Sequence, residues 1–483
     1  MLTELIDGLR PGDPRPALPG ATRGELAELV RGYAVALAHL DPGDTIALAV
    51  RPGPRSLATL LAAYHLGLRV AVLDPTAGPD VLRARLALAA PRLVLADAAA
   101  QAVAGWAARL ARRAHLALPE LGAIAPVRTI GRRLPGSPPA LRPLPGRLPR
   151  PYEGEGDSVI VFTSGTTTRP RAVVHTRRSI SAGMTAVRDL VRPEPDVPVV
   201  GGTFFVLLPS LASGAPVAFP SRRSLARQLR ELRPQATYLT PPQVRNALAA
   251  GTRFTGRVYS GSAPVSAALL RSVRRSGASE AWGVYALTEV FPAAAVEESE
   301  KSAFTGEGDL VGRLLPGVTA RVSPDASAVA GAAAAAASGE LLLGGPTAAD
   351  RYLGEEPFEW VATGDIGRVL DDRSVVLGGR AKDMILRRAE NIYPGLYEPS
   401  LHVPGVELAL LVGVPAGDGD ERVVAVVQKA DGATEREVRA ALREPLARMG
   451  SARPDEVVFD RIPLAGRSRK PDRRATAALA ARR

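Results

Sequence analysis

Apolar positions along this chain keep changing period. Over residues 25–40 they recur at helical spacing, with Leu26, Leu29, Val30, Tyr33 and Leu37 on one face. The run TIALAV (45–50) is short, apolar after Thr45, and predicts a buried strand. The alternation then repeats: helix over 56–66, strand RVAVLD over 69–74, helix over 80–90 and strand RLVLAD over 92–97. Strands alternating with helices predict an α/β fold, with parallel sheets covered by helices on both faces.

The pattern breaks at RRLPGSPPALRPLPGRLPRPY (132–152), whose prolines cannot hold a helix or a central strand. It reads as a surface linker. A second α/β stretch runs from Asp157 to about Trp282, and beyond it strands and turns dominate. The alanine-rich run 331–337 reads as a flexible connection. Near Arg380 the character changes to a small basic α+β unit, with strands over 408–414 and 423–428 and a helix over 435–448. This places a domain boundary between 379 and 380, giving domains 1–379 and 380–483. No internal repeat is visible.

A chain of 483 residues is long for one domain, so two or more are expected. Apolar residues make up 46%, enough for a large core, but aromatics only 4%, so Leu, Val and Ala must do most of the packing. The absence of cysteine removes disulfides, cysteine zinc sites and thiol nucleophiles, and fits a cytoplasmic protein. The start MLTELIDGLRPGD lacks the features of a signal peptide, and no apolar run reaches membrane-spanning length. The net charge of +12 is spread along the chain without a basic tail or aromatic platform, which argues against nucleic acid. Only four of the 61 basic residues are lysine: Lys301, Lys382, Lys429 and Lys470. In so arginine-biased a chain each lysine merits attention.

The most informative stretch is VIVFTSGTTTRPRAVVHT (159–176), an apolar strand running into small hydroxyl and glycine residues and then basic ones. Backbone N–H groups and Ser/Thr hydroxyls donate to phosphate oxygens, and small side chains permit close approach. A strand, a phosphate-binding loop and a following helix are expected. The common nucleotide signatures G-x-x-x-x-G-K-[ST] and G-x-G-x-x-G are absent. Further on, VYALTEV (284–290) sets Thr288 beside Glu289, a hydroxyl and a carboxylate suited to a phosphate and its Mg²⁺. ATGDIG (362–367) puts Asp365 in what reads as a tight glycine turn, where a carboxylate accepts ribose hydroxyls. GGRAKDMI (378–385) adds Arg380, and PLAGRSRKPDR (463–473) holds Lys470 in an exposed loop.

Taken in order, TSGTTTRPRAV, SGSAP (260–264), YALTE, GE (339–340), TGD, GRAKD, ENIYP (390–394) and the late lysine resemble the adenylate-forming superfamily of acyl-CoA synthetases, adenylation domains and luciferases. The resemblance implies a large N-terminal domain of stacked α/β sheets plus a β-rich subdomain, with a small mobile α+β C-terminal domain. It implies that Thr163, Ser164, Gly165, Thr166, Thr167, Thr168 and Arg171 cradle the ATP phosphates. Ser262, Ala263 and Tyr285 join the nucleotide site, and Asp365 and Arg380 hold the ribose. Thr288 touches phosphate, and Glu289 with Thr166 carries Mg²⁺. Lys382 is the hinge. Lys470 bridges the substrate carboxylate and the α-phosphate, where a cation screens two anions and stabilises charge on the transferred group. Gly202, Phe204, Phe205 and Gly261 are expected to line an apolar acyl pocket.

Several positions depart from the family pattern. Thr168, Arg171 and Ala172 stand where Gly, Lys and Gly are usual, and Ala286 and Ala389 also replace glycines. The aromatic-His motif is missing from VVGGTFFVLLPSLASGAP (199–216). His175 reads as a surface or helix-start residue. Because Glu289, Asp365 and Lys470 remain, a working enzyme is expected. The leading reading is an ATP-dependent acid–thiol ligase acting on a small-molecule carboxylic acid, with CoA or a phosphopantetheinyl carrier protein in trans as acceptor. Capture of the adenylate by the substrate's own hydroxyl is an alternative, because residues 297–322 resemble β-lactone synthetases. A non-catalytic nucleotide-binding protein of the same fold is the other.

Overall fold

A computed structural model describes residues 1–73, 79–97, 125–131, 137–163, 171–221, 223–323, 338–387, 390–417, 420–465 and 469–482. The alanine-rich run and most of the hydroxyl-rich loop, including Ser164 to Thr168, lie outside these residues. The alternating pattern folds as expected, with boundaries moved by a few residues. The helix Arg23–Leu37 starts at Thr22, whose side chain accepts from the Glu25 backbone while the Glu25 carboxylate accepts from the Thr22 backbone. Such a capping box stabilises a helix start by about 1 kcal/mol.

One sheet has seven strands, in the order Arg351–Tyr352, Ala172–Thr176, Asp157–Phe162, Arg69–Val72, Thr45–Ala49, Leu93–Asp97 and Val127–Ile130. From Asp157–Phe162 onward its pairings are parallel. A second sheet has eleven strands. Its parallel half runs Val217–Ala218, Val199–Gly201, Ala236–Leu239, Arg257–Gly261, Glu280–Tyr285. Its antiparallel half continues through Ala294–Glu297, Asp309–Leu314, Ser374–Arg380, Val361–Val369, Gly339–Gly344 and Thr319–Ser323.

The helices Arg23–Leu37, Pro54–His65, Arg177–Val191 and Phe204–Ala212 share one core with strands of both sheets. Leu26, Leu61, Met184 and Leu207 pack there with Ile46 and Val70 of the first sheet and Val199 and Tyr259 of the second. This common apolar layer locks the sheets together. Truncating a fully buried member such as Leu61 to alanine would cost about 2–5 kcal/mol.

Two expectations are corrected here. The hydroxyl-rich loop does not lead from strand to helix. Ala172–Thr176 is a second strand, paired antiparallel with Asp157–Phe162, and the helix Arg177–Val191 begins only after it. The loop therefore closes a hairpin. A strand of β-branched residues, AVVHT, was hidden behind the basic RPR. The proline-rich segment is also no free linker over its described part, 137–152. Leu144 N–H donates to the Gly32 carbonyl and Tyr152 N–H to that of His65, while Arg177 lies over the Tyr152 ring.

The strands Val406–Gly417, Asp420–Lys429 and Glu456–Phe459 form a separate three-stranded sheet, backed by the helix Glu435–Ala447. Arg473, opening the helix Arg473–Ala480, forks onto Glu398 at 2.7 and 3.0 Å and reaches Asp383 at 3.3 Å.

Candidate active site

Parallel strands deliver their carboxyl ends to one sheet edge, the place where open α/β sheets bind ligands. Arg257–Gly261 and Glu280–Tyr285 are such a pair. The first ends at Gly261, where an added Cβ would lie 2.7 Å from the Val284 carbonyl oxygen and 3.3 Å from the Tyr238 hydroxyl. Ser262 follows in the left-handed region at φ +67°, its hydroxyl 2.9 Å from that of Tyr238, and Ala263 comes next. The second ends at Tyr285, whose hydroxyl donates to Asp365 Oδ2 at 2.6 Å.

Asp365 is not in a turn. It lies within the strand Val361–Val369, directly opposite Arg380, whose Nε stands 2.7 Å from Oδ1. Gly364 takes φ +68° inside the strand, and the ladder with Gly339–Gly344 shifts register here, residues 363–365 lying opposite Leu341 alone. The glycine that read as a turn serves a β-bulge, which re-aims a side chain without ending the strand. Asp365 is only 4% exposed. Burial pushes its carboxyl above the usual range, against the opposing pull of Arg380, the Tyr285 hydroxyl and Lys470.

Lys470 reaches this cluster from the far end of the chain. It sits in the short strand Lys470–Pro471, paired with Leu464–Ala465, after Arg469 at φ +46°. Its surface is open to solvent, yet protein is massed around it. That desolvation, followed by the charges of Arg380 and Lys382, lowers its ammonium below the usual lysine range, while Asp365 raises it. Lys382 is exposed in the single turn Ala381–Asp383. Its neighbour Asp383 is tied to Arg473.

The hairpin forms the other wall. Thr163 N–H donates to the Arg171 carbonyl at 3.0 Å, closing the base of the loop. The edge strand Arg351–Tyr352 pairs with Ala172–Thr176. Just before it, Ala349 N–H donates to the Glu289 carbonyl at 2.7 Å, and Asp350 N–H to the Val174 carbonyl at 2.9 Å. This segment stitches Thr288 and Glu289 of the second sheet to the hairpin of the first. The Tyr352 hydroxyl donates to Glu289 Oε1 at 2.8 Å, and the Arg171 guanidinium lies 4.8 Å from the Tyr352 ring centroid.

His175 is 1% exposed, which corrects its reading as a surface residue. Its Nε2 donates to the Thr288 carbonyl at 2.8 Å, and Nδ1 faces the Ser179 hydroxyl at 3.3 Å. A carbonyl can only accept, so the proton is on Nε2. Burial lowers the imidazole pKa, partly offset by the Thr288 contact.

Phe204 and Phe205 open the helix Phe204–Ala212 and pack on Phe219 and Phe291, with ring centroids 5.6 and 4.3 Å apart. They border the same core as Tyr238 and Trp282. Gly202 is exposed, with open space at its Cβ position. Sequence reasoning missed Tyr238, Phe291 and Tyr352, none of which stands in a recognisable motif.

Among the described residues, no three His, Cys, Asp or Glu side chains cluster as a metal site. A lone carboxylate at Glu289 fits Mg²⁺, which takes one or two carboxylates and completes its shell with phosphate oxygens and water. No helix among the described residues is long and apolar enough to cross a membrane.

Comparison with known proteins agrees with this geometry. The sulfoacetate–CoA ligase of Cupriavidus necator is 27% identical over 433 residues, 84% of this chain and 82% of that protein. The feruloyl-CoA synthase of an Amycolatopsis species is 29% identical over 343 residues, 64% of this chain and 67% of its own. The solved amide bond synthetase McbA from Marinactinospora thermotolerans shares the fold, with a TM-score of 0.78 at 24% identity over 99% of both chains. The pattern of the AMP-binding enzyme family matches residues 16–353, and the chain belongs to that family.

Proposed function

We propose that this protein uses ATP to convert a carboxylic acid to an acyl-adenylate, releasing pyrophosphate, and then passes the acyl group to the thiol of coenzyme A. The observation that carries this reading is the convergence of Lys470, Arg380 and the buried Asp365 in a member of the AMP-binding family. The names of the relatives, CoA ligases for two different acids, support a thiol acceptor over capture by an internal hydroxyl.

In the first half-reaction an oxygen of the acid attacks the α-phosphorus and pyrophosphate leaves. Both partners are anionic. The Lys470 ammonium between them screens their repulsion and stabilises charge in the transition state. Asp365, held by Arg380 and Tyr285, presents a fixed acceptor for the ribose hydroxyls. The loop from Thr163 to Thr168, with Arg171, takes the phosphates. Glu289 would hold Mg²⁺, which would supply positive charge against the departing pyrophosphate. In the second half-reaction the thiol sulfur attacks the acyl carbonyl and AMP leaves. Residues 380–483 pivot at Lys382 between the two. A carrier-protein phosphopantetheine presents the same thiol arm.

Acid-dependent ATP–pyrophosphate exchange, run across fatty, hydroxy-fatty, aryl and amino acids, tests the first step. Mass spectrometry of products with and without CoA tests the second. Folded protein that binds ATP but exchanges with no acid would overturn the reading. Product formed only with carrier protein would replace CoA as the acceptor.

A further inference from the structure

Glu289 is the carboxylate to which the Mg²⁺ role is assigned, so what fixes its direction matters. A glutamate side chain has rotamer freedom worth about 1.5–2 kcal/mol, which a binding site must suppress. The Tyr352 hydroxyl does this by donating to Oε1 at 2.8 Å, leaving Oε2 for another ligand. The tyrosine is itself clamped. Phe358 meets its ring edge-on with centroids 4.9 Å apart, and Arg171 covers a face. Its backbone is held by the pairing of Tyr352 with Val173.

The backbone beside Glu289 is pinned from the same direction. The Glu289 carbonyl accepts from Ala349, and the Thr288 carbonyl accepts from His175. The hairpin and its edge strand thus hold this dipeptide at three points. Arg171 adds the connection to the loop. A planar guanidinium stacks on an aromatic face in a way that a lysine ammonium does not.

We infer that Tyr352 is a positioning residue for Glu289, aiming its carboxylate at the metal–phosphate end of the nucleotide, with Arg171 on its ring as the tie to the phosphate loop. The inference rests on the proposed function for the identity of the ligand.

Tyr352→Phe keeps the ring for Arg171 and Phe358 and removes only the hydroxyl. Calorimetry with a non-hydrolysable ATP analogue should show Mg²⁺-dependent binding weakened about tenfold, the scale of one hydrogen bond to a charged group. Binding of the metal-free analogue should stay within about twofold of wild type, since only the metal-linked interaction is touched. In a Glu289→Gln background the same change should add no further loss. Equal weakening with and without Mg²⁺, or full additivity with Glu289→Gln, would overturn the inference. Arg171→Lys, which leaves the tyrosine intact, gives a second readout. Unchanged Mg²⁺-dependent binding there would remove Arg171 from the arrangement. Absence of acid-dependent exchange in the wild type would count against the proposed function, while the calorimetric comparison still judges Tyr352.

Discussion

Asp365 and Arg380 face each other across adjacent antiparallel strands, 2.7 Å apart, with the carboxylate sealed from solvent and the guanidinium 45% open to it. The pair is asymmetric. The acid bears the desolvation, and burial raises its pKa despite the guanidinium beside it. A carboxyl whose folded pKa lies above its unfolded value gives stability that is fully present below the unfolded pKa. That stability is lost as pH rises through the folded pKa. Above the unfolded pKa Asp365 therefore burdens the fold.

Asp365→Asn relieves that burden and keeps the side-chain shape. Its melting temperature at pH 7 should equal or exceed that of wild type, while ATP affinity falls by about tenfold or more through loss of a charged acceptor. Thermal denaturation and calorimetry on one preparation check both halves. A marked drop in melting temperature with ATP binding intact would make Asp365 a structural residue.

Lys470→Ala should lower acid-dependent exchange by about 10²–10³-fold, the usual effect of removing one preorganised transition-state group. The side chain is exposed and forms no part of an apolar core, so the fold should survive. Circular dichroism alongside the exchange assay separates the two effects. Activity within a few-fold of wild type would mean that another group carries the charge.

The parallel strands and their helices were legible because a buried strand such as Thr45–Ala49 is continuously apolar from Ile46 on, and the helix Arg23–Leu37 keeps a single apolar face. Glycine and proline misled in both directions. Gly364 read as a turn but serves a bulge, and the prolines of 137–152 mark a strap fastened to the first sheet. Asp365, Arg380 and Lys470 were visible through residue type and order along the chain. His175 and Tyr352 were not. Their importance depends on residues 113 and 63 positions away, and no local pattern encodes such a contact.

His175 makes a prediction about acid. Its folded pKa is lowered by burial, so in the window below the usual histidine value the unfolded chain binds a proton that the native state resists. Stability is fully present above about pH 6.5 and falls as the solution is acidified through that value. His402, half-buried, also has a pKa lowered by desolvation and contributes in the same sense. Urea titrations between pH 7 and 5 should show the loss, and His175→Asn should flatten part of it. The same variant should impair nucleotide binding if the bond to the Thr288 carbonyl places that residue. A pH dependence identical to wild type would show that His175 protonates freely in the native state.

The proposed mechanism assigns the alkaline limit of the reaction to Lys470. Its ammonium is held below the ordinary lysine range by desolvation and by the neighbouring charges of Arg380 and Lys382. The adenylation step needs the charged form, so the rate should fall at a lower pH than an unperturbed lysine would allow. Lys382→Gln removes one of the cations that lowers this pKa, without touching the Arg380–Asp365 pair. The alkaline limb of the exchange profile should then move to higher pH, whatever happens to the maximal rate. Measuring exchange from pH 7 to 10.5 in both proteins, with ATP and acid saturating, reads the limb directly. A limb that stays in place would assign the alkaline pKa to some other group. A limb that moves down would reverse the sign of the Lys382–Lys470 interaction and overturn the reading that Lys382 holds the Lys470 pKa down.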